Sequence, residues 1–154
     1  MTTNVGRLLA AHSVHHRFIE YSHDPGAMDA VSVARRVGIE PERVFKTLVA
    51  RGDCTGVVVF CVPGPLELDL KKAAAVSGNK RVALLPVSEL RPLTGYLRGA
   101  CSPIGMTKRY STWIDETATL FAEICISAGI HGGQIALDPH ALAAFIDADF
   151  ADLT

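Results

Sequence analysis

Two neighbouring segments rich in β-branched residues, at positions 44–50 and 57–62, constrain the fold of this chain more than any other feature. Between them lies a short polar segment that contains Arg51, Gly52 and Asp53. β-Branched residues favour strands, and a connection this short suits two adjacent antiparallel strands. The pattern therefore predicts a β-hairpin in the first half of the chain.

Short helices and further strands are predicted around this hairpin from apolar spacing, capping residues and glycines. The predicted helices cover residues 3–12 with Thr2 or Thr3 as N-cap, residues 30–37 before Gly38, residues 69–76 with Asp69 as N-cap, a segment from Ser88 to the residue before Gly95, and a C-terminal segment that starts at Asp138 and Pro139. The predicted strands cover residues 17–22, 82–85, 111–115, 123–128 and 134–137. This mixture predicts an α+β fold with a mixed, mainly antiparallel sheet, in one domain over residues 1–154.

The composition indicates a folded protein without a membrane span. Hydrophobic residues make up 49% of the chain and charged residues 20%, so the chain can bury a core and is not disordered. A net charge of −1 argues against a protein that coats duplex nucleic acid by charge alone, which leaves a local basic patch open. The apolar stretch at 54–66 is too short, and too rich in Gly and Pro, to cross a bilayer. Because the N-terminus carries no export signal, we expect a cytoplasmic protein with no membrane partner.

The cysteines and histidines do not form a recognisable metal site in the sequence. Cys54, Cys61, Cys101 and Cys125 contain no Cys-x-x-Cys pair, and they are interpreted as reduced, mostly buried thiols. Three histidines at positions 12, 15 and 16 have helical spacing, but no cluster of carboxylates or cysteines accompanies them. No metal and no cofactor are therefore predicted.

Lys46 is the charged residue whose position in the hydrophobic pattern is hardest to explain. It lies inside a run that otherwise suits a buried strand, where an ammonium group is costly without a partner or a wet cleft. The alternative is that strand alternation places Lys46 on a solvated face or edge, and spacing does not decide between the two. By contrast, the acidic residues Asp115, Glu116, Asp147 and Asp149 are interpreted as solvated surface groups.

Two glycine-bearing segments, at residues 95–105 and 127–133, have the composition of loops that approach a ligand. Glycine removes the Cβ and proline fixes a turn, so backbone N–H groups there can hold a carbonyl or a developing oxyanion. Ordinary turns have the same composition, and that interpretation stays open. Cys101, in the first segment, is either a nucleophile served by one of the six histidines or a packed loop cysteine. No spacing ties a histidine to it.

Four segments together resemble a known family. They are residues 45–49 (FKTLV), 95–106 (GYLRGACSPIGM), 114–116 (IDE) and 126–129 (ISAG). Their order and approximate spacing resemble those of the YbaK-like aminoacyl-tRNA deacylases, which are relatives of the editing domain inserted in bacterial prolyl-tRNA synthetases. The resemblance extends from about residue 5 to residue 146. It implies the fold of that family, with a barrel-like sheet and short helices packed around it.

The resemblance also implies a site. Lys46 corresponds to the essential lysine of the family, the G-x-C-S-P loop approaches the substrate, and the serine-glycine turn closes the pocket. The substrate-binding residues implied in this way, together with pocket residues assigned around them, are Tyr21, Thr47, Gly99, Ala100, Cys101, Ser102, Pro103, Ser127, Ala128, Gly129 and Gln134. Many relatives have Arg in the turn after Ser-x-Gly and Asp near the next strand, whereas residues 130–134 here are IHGGQ. The choice of aminoacyl group therefore does not follow from the motif alone.

The function implied is that of a freestanding trans-editing enzyme that removes a mischarged amino acid, with cysteine on tRNA(Pro) as the expected substrate. The thiol of a cysteinyl ester can attack its own carbonyl, so such an enzyme needs no nucleophile of its own. Its expected partners are the acceptor end of an aminoacyl-tRNA and, as a second candidate, prolyl-tRNA synthetase. Two alternatives stay open: water-mediated hydrolysis of an alanyl or seryl ester, and a noncatalytic module that docks on a tRNA or a synthetase.

Overall fold

Five α-helices and eight strands are present in residues 3–154, the part of the chain that the computed structural model describes. The helices are α1 (Asn4–Ala11), α2 (Ala30–Val37), α3 (Leu70–Ser77), α4 (Val87–Thr94) and α5 (Pro139–Ile146). The strands are β1 (Arg17–Glu20), β2 (Phe45–Gly52), β3 (Gly56–Pro63), β4 (Val82–Leu84), β5 (Thr112–Asp115), β6 (Ile124–Ser127), β7 (Gly133–Leu137) and β8 (Asp149–Ala151). The chain also forms two short 3-10 helices, Pro41–Arg43 and Glu116–Leu120.

The predicted hairpin is confirmed and forms the middle of the larger sheet. Strands β2 and β3 pair antiparallel along their whole length, from Phe45 opposite Pro63 to Gly52 opposite Gly56. The larger sheet has the order β4-β2-β3-β5-β8, in which the β3–β5 and β5–β8 pairs are parallel. The smaller sheet, β1-β7-β6, is antiparallel throughout. The predicted α+β class with a mixed, mainly antiparallel sheet is therefore confirmed.

The two sheets touch without closing into a barrel. A parallel bridge between Val44 and Cys125 connects them. Within residues 3–154, the outer strands β4 and β8 of the larger sheet form no ladder with the smaller sheet. The barrel-like part of the expectation is thus not met, because three-residue edge strands offer too few backbone groups to complete a ring.

The core lies on both faces of the larger sheet. Side chains alternate along β3, so Phe60 and Val62 pack in one apolar cluster with α3, while Cys61 packs in another with the smaller sheet, α1 and α5. Burial on both faces explains why β3 is a continuous apolar run in the sequence. It also leaves the N-terminal half of β2, with Lys46, at the place where the two sheets meet.

Most of the predicted helix ends are confirmed because their capping contacts are local. Asp69 accepts hydrogen bonds from the N–H groups of the first turn of α3, and Asp138 does the same for α5. Gly38 and Gly78 end their helices with positive φ. Ser88 was the wrong cap: α4 begins one residue after Pro86, and Ser88 lies inside it. Thr3 caps α1, whereas the alternative cap Thr2 lies outside the described residues.

Asp115 corrects the interpretation of the acidic residues. It is 1% exposed at the end of β5, and its carboxylate accepts hydrogen bonds from the N–H of Leu153 at 2.9 Å and from the hydroxyl of Thr117 at 2.5 Å. Glu116, Asp147 and Asp149 are exposed, as predicted. The prediction of a solvated surface position for Asp115 was wrong because its partner, the Leu153 N–H, lies 38 positions away in the sequence, and no local pattern reveals such a contact.

We expect Asp115→Ala to lower the free energy of unfolding by about 2–3 kcal/mol, because it leaves the buried Leu153 N–H without an acceptor. Urea unfolding of the variant and the wild type measures this difference. Glu116→Ala is the matched control, since Glu116 is exposed next to Asp115 and should change stability by no more than about 0.5 kcal/mol. Equal losses in the two variants would contradict a bonding role for the Asp115 carboxylate.

All four cysteines are free thiols. The prediction that most of them are buried is confirmed only in part. Cys61 and Cys125 are buried, Cys101 is partly buried and Cys54 is exposed in the turn that joins β2 to β3. Among the helices that the structure describes, none is both long enough and apolar enough to cross a membrane.

Candidate active site

A cleft of about 680 Å³ opens beside the N-terminal half of β2. Its walls are formed by the segment before α2 and the start of that helix, by β2 itself, by residues from β4 and α4, by the loop at 98–101, and by two residues of the smaller sheet. The cleft therefore lies where the two sheets and two loops meet, a position typical of a ligand site.

Lys46 lies in the wall of this cleft with its ammonium group only partly engaged. Its Nζ donates a hydrogen bond to the carbonyl oxygen of Gly64 at 3.2 Å and lies 3.9 Å from Oε1 of Glu67. The Lys46 side chain is 26% exposed, whereas that of Glu67 is 94% exposed, so water screens this ion pair. An ammonium group has three N–H donors, and the Gly64 contact uses one of them. The remaining donors are available to a ligand in the cleft.

Gly64 is a residue of this site that the sequence interpretation missed. A Cβ at this position would lie 2.7 Å from the Cβ of Ala30 and 3.1 Å from the carbonyl oxygen of Val44, so no larger residue fits. The close approach brings the start of α2 against the end of the hairpin and holds the Gly64 carbonyl at Lys46. The Pro-Gly-Pro sequence that begins with the last residue of β3 was the signal that could have identified it.

The loop that contains G-x-C-S-P forms a second wall through alternate residues. Gly99 and Cys101 line the cleft, whereas Ala100 and Ser102 are buried behind it. Gly99 has φ of +83°, and a Cβ there would lie 3.1 Å from Sδ of Met28, so a glycine is required. The N–H of Ala100 donates to the carbonyl of Leu97 at 3.0 Å and is not available to a substrate.

Cys101 lines the cleft as a protonated thiol. Burial raises its pKa to about 12, with a smaller opposite effect from a hydrogen bond with Thr94. A thiol with such a pKa is almost entirely neutral at physiological pH and therefore a weak nucleophile. All six histidines fall within the described residues, and none of them lines the cleft. The Cys101–histidine alternative therefore has no structural support.

The third wall comes from the smaller sheet, where Ser127 and Gln134 lie opposite each other on β6 and β7. The Ser127 hydroxyl donates to the carbonyl of Ala100 at 2.8 Å and so connects this sheet to the loop. Gln134 is 6% exposed, and its Oε1 is the one buried side-chain oxygen or nitrogen in residues 3–154 that has no hydrogen-bond partner. Because an unsatisfied buried carbonyl is costly, its presence in a cleft wall indicates a place for a donor from a ligand.

Comparison with known proteins identifies the kind of site. A family model described as the aminoacyl-tRNA editing domain matches residues 24–145. The chain belongs to this family. The predicted family is thus confirmed, and with it the predicted class of enzyme, one that edits aminoacyl-tRNA. The matched range includes the hairpin, both loops and every wall of the cleft.

Three relatives of this editing domain show how widely it occurs. EbsC of Enterococcus faecalis, named as a candidate Cys-tRNA(Pro)/Cys-tRNA(Cys) deacylase, is 45% identical over 152 residues, which cover 99% of this chain and 93% of EbsC. A proline–tRNA ligase of Thermosipho melanesiensis is 28% identical over 88 residues, which are 57% of this chain and 15% of the ligase. A crystal structure described as a candidate trans-editing enzyme for prolyl tRNA synthetase superimposes with a TM-score of 0.86 at 26% identity and covers 100% of this chain and 99% of that one.

The structure of the editing domain brings about half of the predicted site residues into one cleft. Those that line it are Lys46, Thr47, Gly99, Cys101, Ser127 and Gln134. Those outside the lining are Tyr21, Ala100, Ser102, Pro103, Ala128 and Gly129. Tyr21 pairs through its N–H with the carbonyl of Gly132 at 2.9 Å, and Ala128 is fully buried in the core. The functional roles of all twelve residues stay predictions.

Two of the histidines that the sequence interpretation considered only as possible bases for Cys101 support the loop from outside the cleft. His131 shares a hydrogen bond of 2.8 Å between its Nε2 and the carbonyl of Arg98, in which the ring nitrogen donates. Its ring stacks on that of His23, with centroids 4.3 Å apart and planes 7° from parallel. These contacts fix the residue that precedes Gly99 and so help to position the cleft wall.

Proposed function

We propose that this editing domain removes mischarged cysteine from Cys-tRNA(Pro), acting in trans as a protein separate from the synthetase. One observation carries the proposal: the cleft presents an ammonium group with unused donors at Lys46 and an unpartnered acceptor at Gln134, and burial raises the pKa of its thiol, Cys101, to about 12. Such a site can bind and polarise an ester whose own thiol performs the attack. The 45% identity to EbsC supports cysteine as the amino acid removed, because the name of EbsC gives Cys-tRNA(Pro) and Cys-tRNA(Cys) as its candidate substrates.

The proposed reaction needs only positioning and electrostatics from the protein. The substrate thiol loses its proton, and the thiolate attacks the carbonyl carbon of the ester to form a thiolactone. The bond from that carbon to the ribose oxygen breaks, and the ribose oxygen takes up the proton. In this proposal Lys46 stabilises negative charge on the thiolate and then on the carbonyl oxygen.

Backbone N–H groups of the loop can also stabilise the negative charge that develops on the carbonyl oxygen. Among the N–H groups of the G-x-C-S-P loop, that of Ala100 is occupied by Leu97, whereas Gly99 and Cys101 lie on the cleft wall. N–H groups held rigidly beside a developing oxyanion stabilise it without reorganisation. We propose that Gly99 and Cys101 act through their backbones and that the Cys101 thiol only packs.

A panel of aminoacyl-tRNAs tests this function. The purified protein is incubated with tRNA(Pro) charged with labelled cysteine, alanine, serine or proline, and release of label is followed against a blank without protein. We expect fast release of cysteine and slow release of the other three. Faster release of alanine or serine would favour the water-mediated alternative. Binding without release of any label would favour the noncatalytic docking module.

Gln134→Leu is expected to separate stability from function. Because the variant removes an unsatisfied buried carbonyl, the free energy of unfolding should stay the same or rise by up to about 1 kcal/mol. The proposed partner of Oε1 is the ammonium group of the aminoacyl moiety, so kcat/KM for Cys-tRNA(Pro) should fall by about 10- to 100-fold.

Gln134→Glu is the companion variant, because it keeps an oxygen acceptor at the same length and should retain more activity than Gln134→Leu. Urea unfolding and steady-state kinetics on both variants give the two quantities. An unchanged kcat/KM in Gln134→Leu would show that the Gln134 amide does not contact the substrate.

A further inference from the structure

One segment of this nearly neutral chain is strongly basic. Between Glu89 and Asp115 the sequence contains no acidic residue but four cations, Arg91, Arg98, Lys108 and Arg109, although the net charge of the chain is −1. All four side chains belong to exposed residues. We call these four residues the basic segment.

No carboxylate neutralises the basic segment in the structure. Within residues 3–154, none of its four members forms an ion pair, whereas six other cations do. The acidic residues at its two borders are engaged elsewhere. Glu89 pairs with Arg51 at 3.0 Å, and Asp115 is buried and bound to the C-terminal backbone. The positive charge is therefore available to an external anion.

The loop that follows α4 carries Arg98, and Lys108 and Arg109 come directly after it, so this part of the chain extends from the cleft to a second cavity. A hydrogen bond of 3.2 Å from the N–H of Thr107 to the carbonyl of Thr94 closes the loop at its base. Residues 98, 99 and 101 line the first cleft, and residues 103–110 line the second cavity, which has a volume of about 510 Å³. Arg98 thus lies at the first cleft, and Lys108 and Arg109 lie at the second cavity, whose lining includes no acidic residue.

We propose that the basic segment binds the phosphates of the tRNA acceptor end while the aminoacyl ester occupies the cleft; this inference rests on the proposed function. An ester in the cleft leaves the terminal nucleotides to emerge past Arg98. The polyanion then continues along the outside of the same loop towards Lys108 and Arg109. Such contacts add affinity without reading sequence, because phosphates are common to every tRNA.

The double variant Lys108→Gln/Arg109→Gln tests the inference, because neither residue lines the cleft. Its matched control is Lys80→Gln/Arg81→Gln, which removes the same two charges from exposed residues before β4. The neighbouring pair Gly52–Val82 lies six residues along β2 from Lys46, a distance of about 20 Å. The two variants therefore differ in the place of the lost charge and not in its amount.

Kinetics on two substrates of different length give the first readout. For Cys-tRNA(Pro), we expect the Lys108/Arg109 variant to raise KM by about tenfold with little change in kcat. For a cysteinyl ester of adenosine alone, kcat/KM should equal that of the wild type, since this substrate has no phosphate. The control variant should match the wild type on both substrates. Equal KM values for the two double variants on Cys-tRNA(Pro) would overturn the inference and leave the proposed function intact.

Binding of uncharged tRNA(Pro) gives a second readout that does not depend on catalysis. The slope of the logarithm of the association constant against the logarithm of the salt concentration should become shallower by about 1.4 in the Lys108/Arg109 variant, since each single-strand contact contributes about 0.7. The control should keep the wild-type slope. If the wild type released no amino acid from any ester, the proposed function would fail, and this slope alone would still decide whether the basic segment binds tRNA.

Discussion

Replacement of Lys46 by alanine is expected to lower kcat for Cys-tRNA(Pro) by about 10²–10³ and to leave the fold intact. A preorganised donor beside a developing oxyanion contributes a factor of this size in other enzymes. The Lys46 side chain lines the cleft from β2, a strand that pairs with β3 along its whole length, and under the proposed function its ammonium group faces the substrate.

The stability of the Lys46→Ala variant should stay close to that of the wild type. The ammonium group forms one hydrogen bond with Gly64 and one long contact with the exposed Glu67, and such a solvated contact contributes little. We expect the melting temperature to change by no more than about 2 °C. Lys71→Ala, on the exposed side of α3, is the control for loss of a positive charge elsewhere.

Single-turnover release of labelled cysteine and a thermal melt, measured on the same preparations, check both parts of this prediction. Lys46→Arg is informative as well, because it keeps the charge but replaces a compact ammonium by a broad guanidinium, and we expect only partial activity. Near wild-type turnover in Lys46→Ala would remove Lys46 from the mechanism.

A change of the substrate thiol to a hydroxyl, cysteine to serine on the same tRNA, should slow release by orders of magnitude in the wild-type protein. An alcohol is far less ionised than a thiol near neutral pH and is the poorer internal nucleophile. In contrast, Cys101→Ala should retain most of the rate on the cysteinyl ester. Burial raises the pKa of the Cys101 thiol to about 12, so the enzyme thiol is protonated at working pH.

The two possible nucleophiles are distinguished by measuring both esters with both proteins. Rates of release from cysteinyl- and seryl-tRNA(Pro) are determined for the wild type and for Cys101→Ala, and products are identified by mass. A thiolactone, or cysteine formed from it, together with an active Cys101→Ala variant, is the expected result. An acyl group trapped on Cys101, or equal rates on the two esters, would overturn substrate-assisted attack without affecting the fold.

What could be predicted from the sequence was local. The β2–β3 hairpin and the Asp69 and Asp138 caps depend on residues within a few positions of one another, and all are confirmed. The family was also readable, because Lys46 and the G-x-C-S-P loop keep a recognisable order and spacing along the chain. Strand β8 was missed because its three residues, Asp149–Ala151, include no β-branched residue, and their pairing with β5 is remote in sequence.

The tertiary structure alone decided which residues meet. The Ser127 hydroxyl on β6 donates to the carbonyl of Ala100 in the loop; Ala100 is buried there, while Gly99 and Cys101 line the cleft. Packing likewise buries Oε1 of Gln134 without a hydrogen-bond partner. It also brings the Leu153 N–H, 38 positions away in the sequence, to the Asp115 carboxylate. Helix capping and strand propensity depend on residues that are close together in the sequence, so a sequence pattern reveals them. Burial, close approach and unsatisfied hydrogen bonding depend on distant segments, so they exist only once the two sheets have packed together.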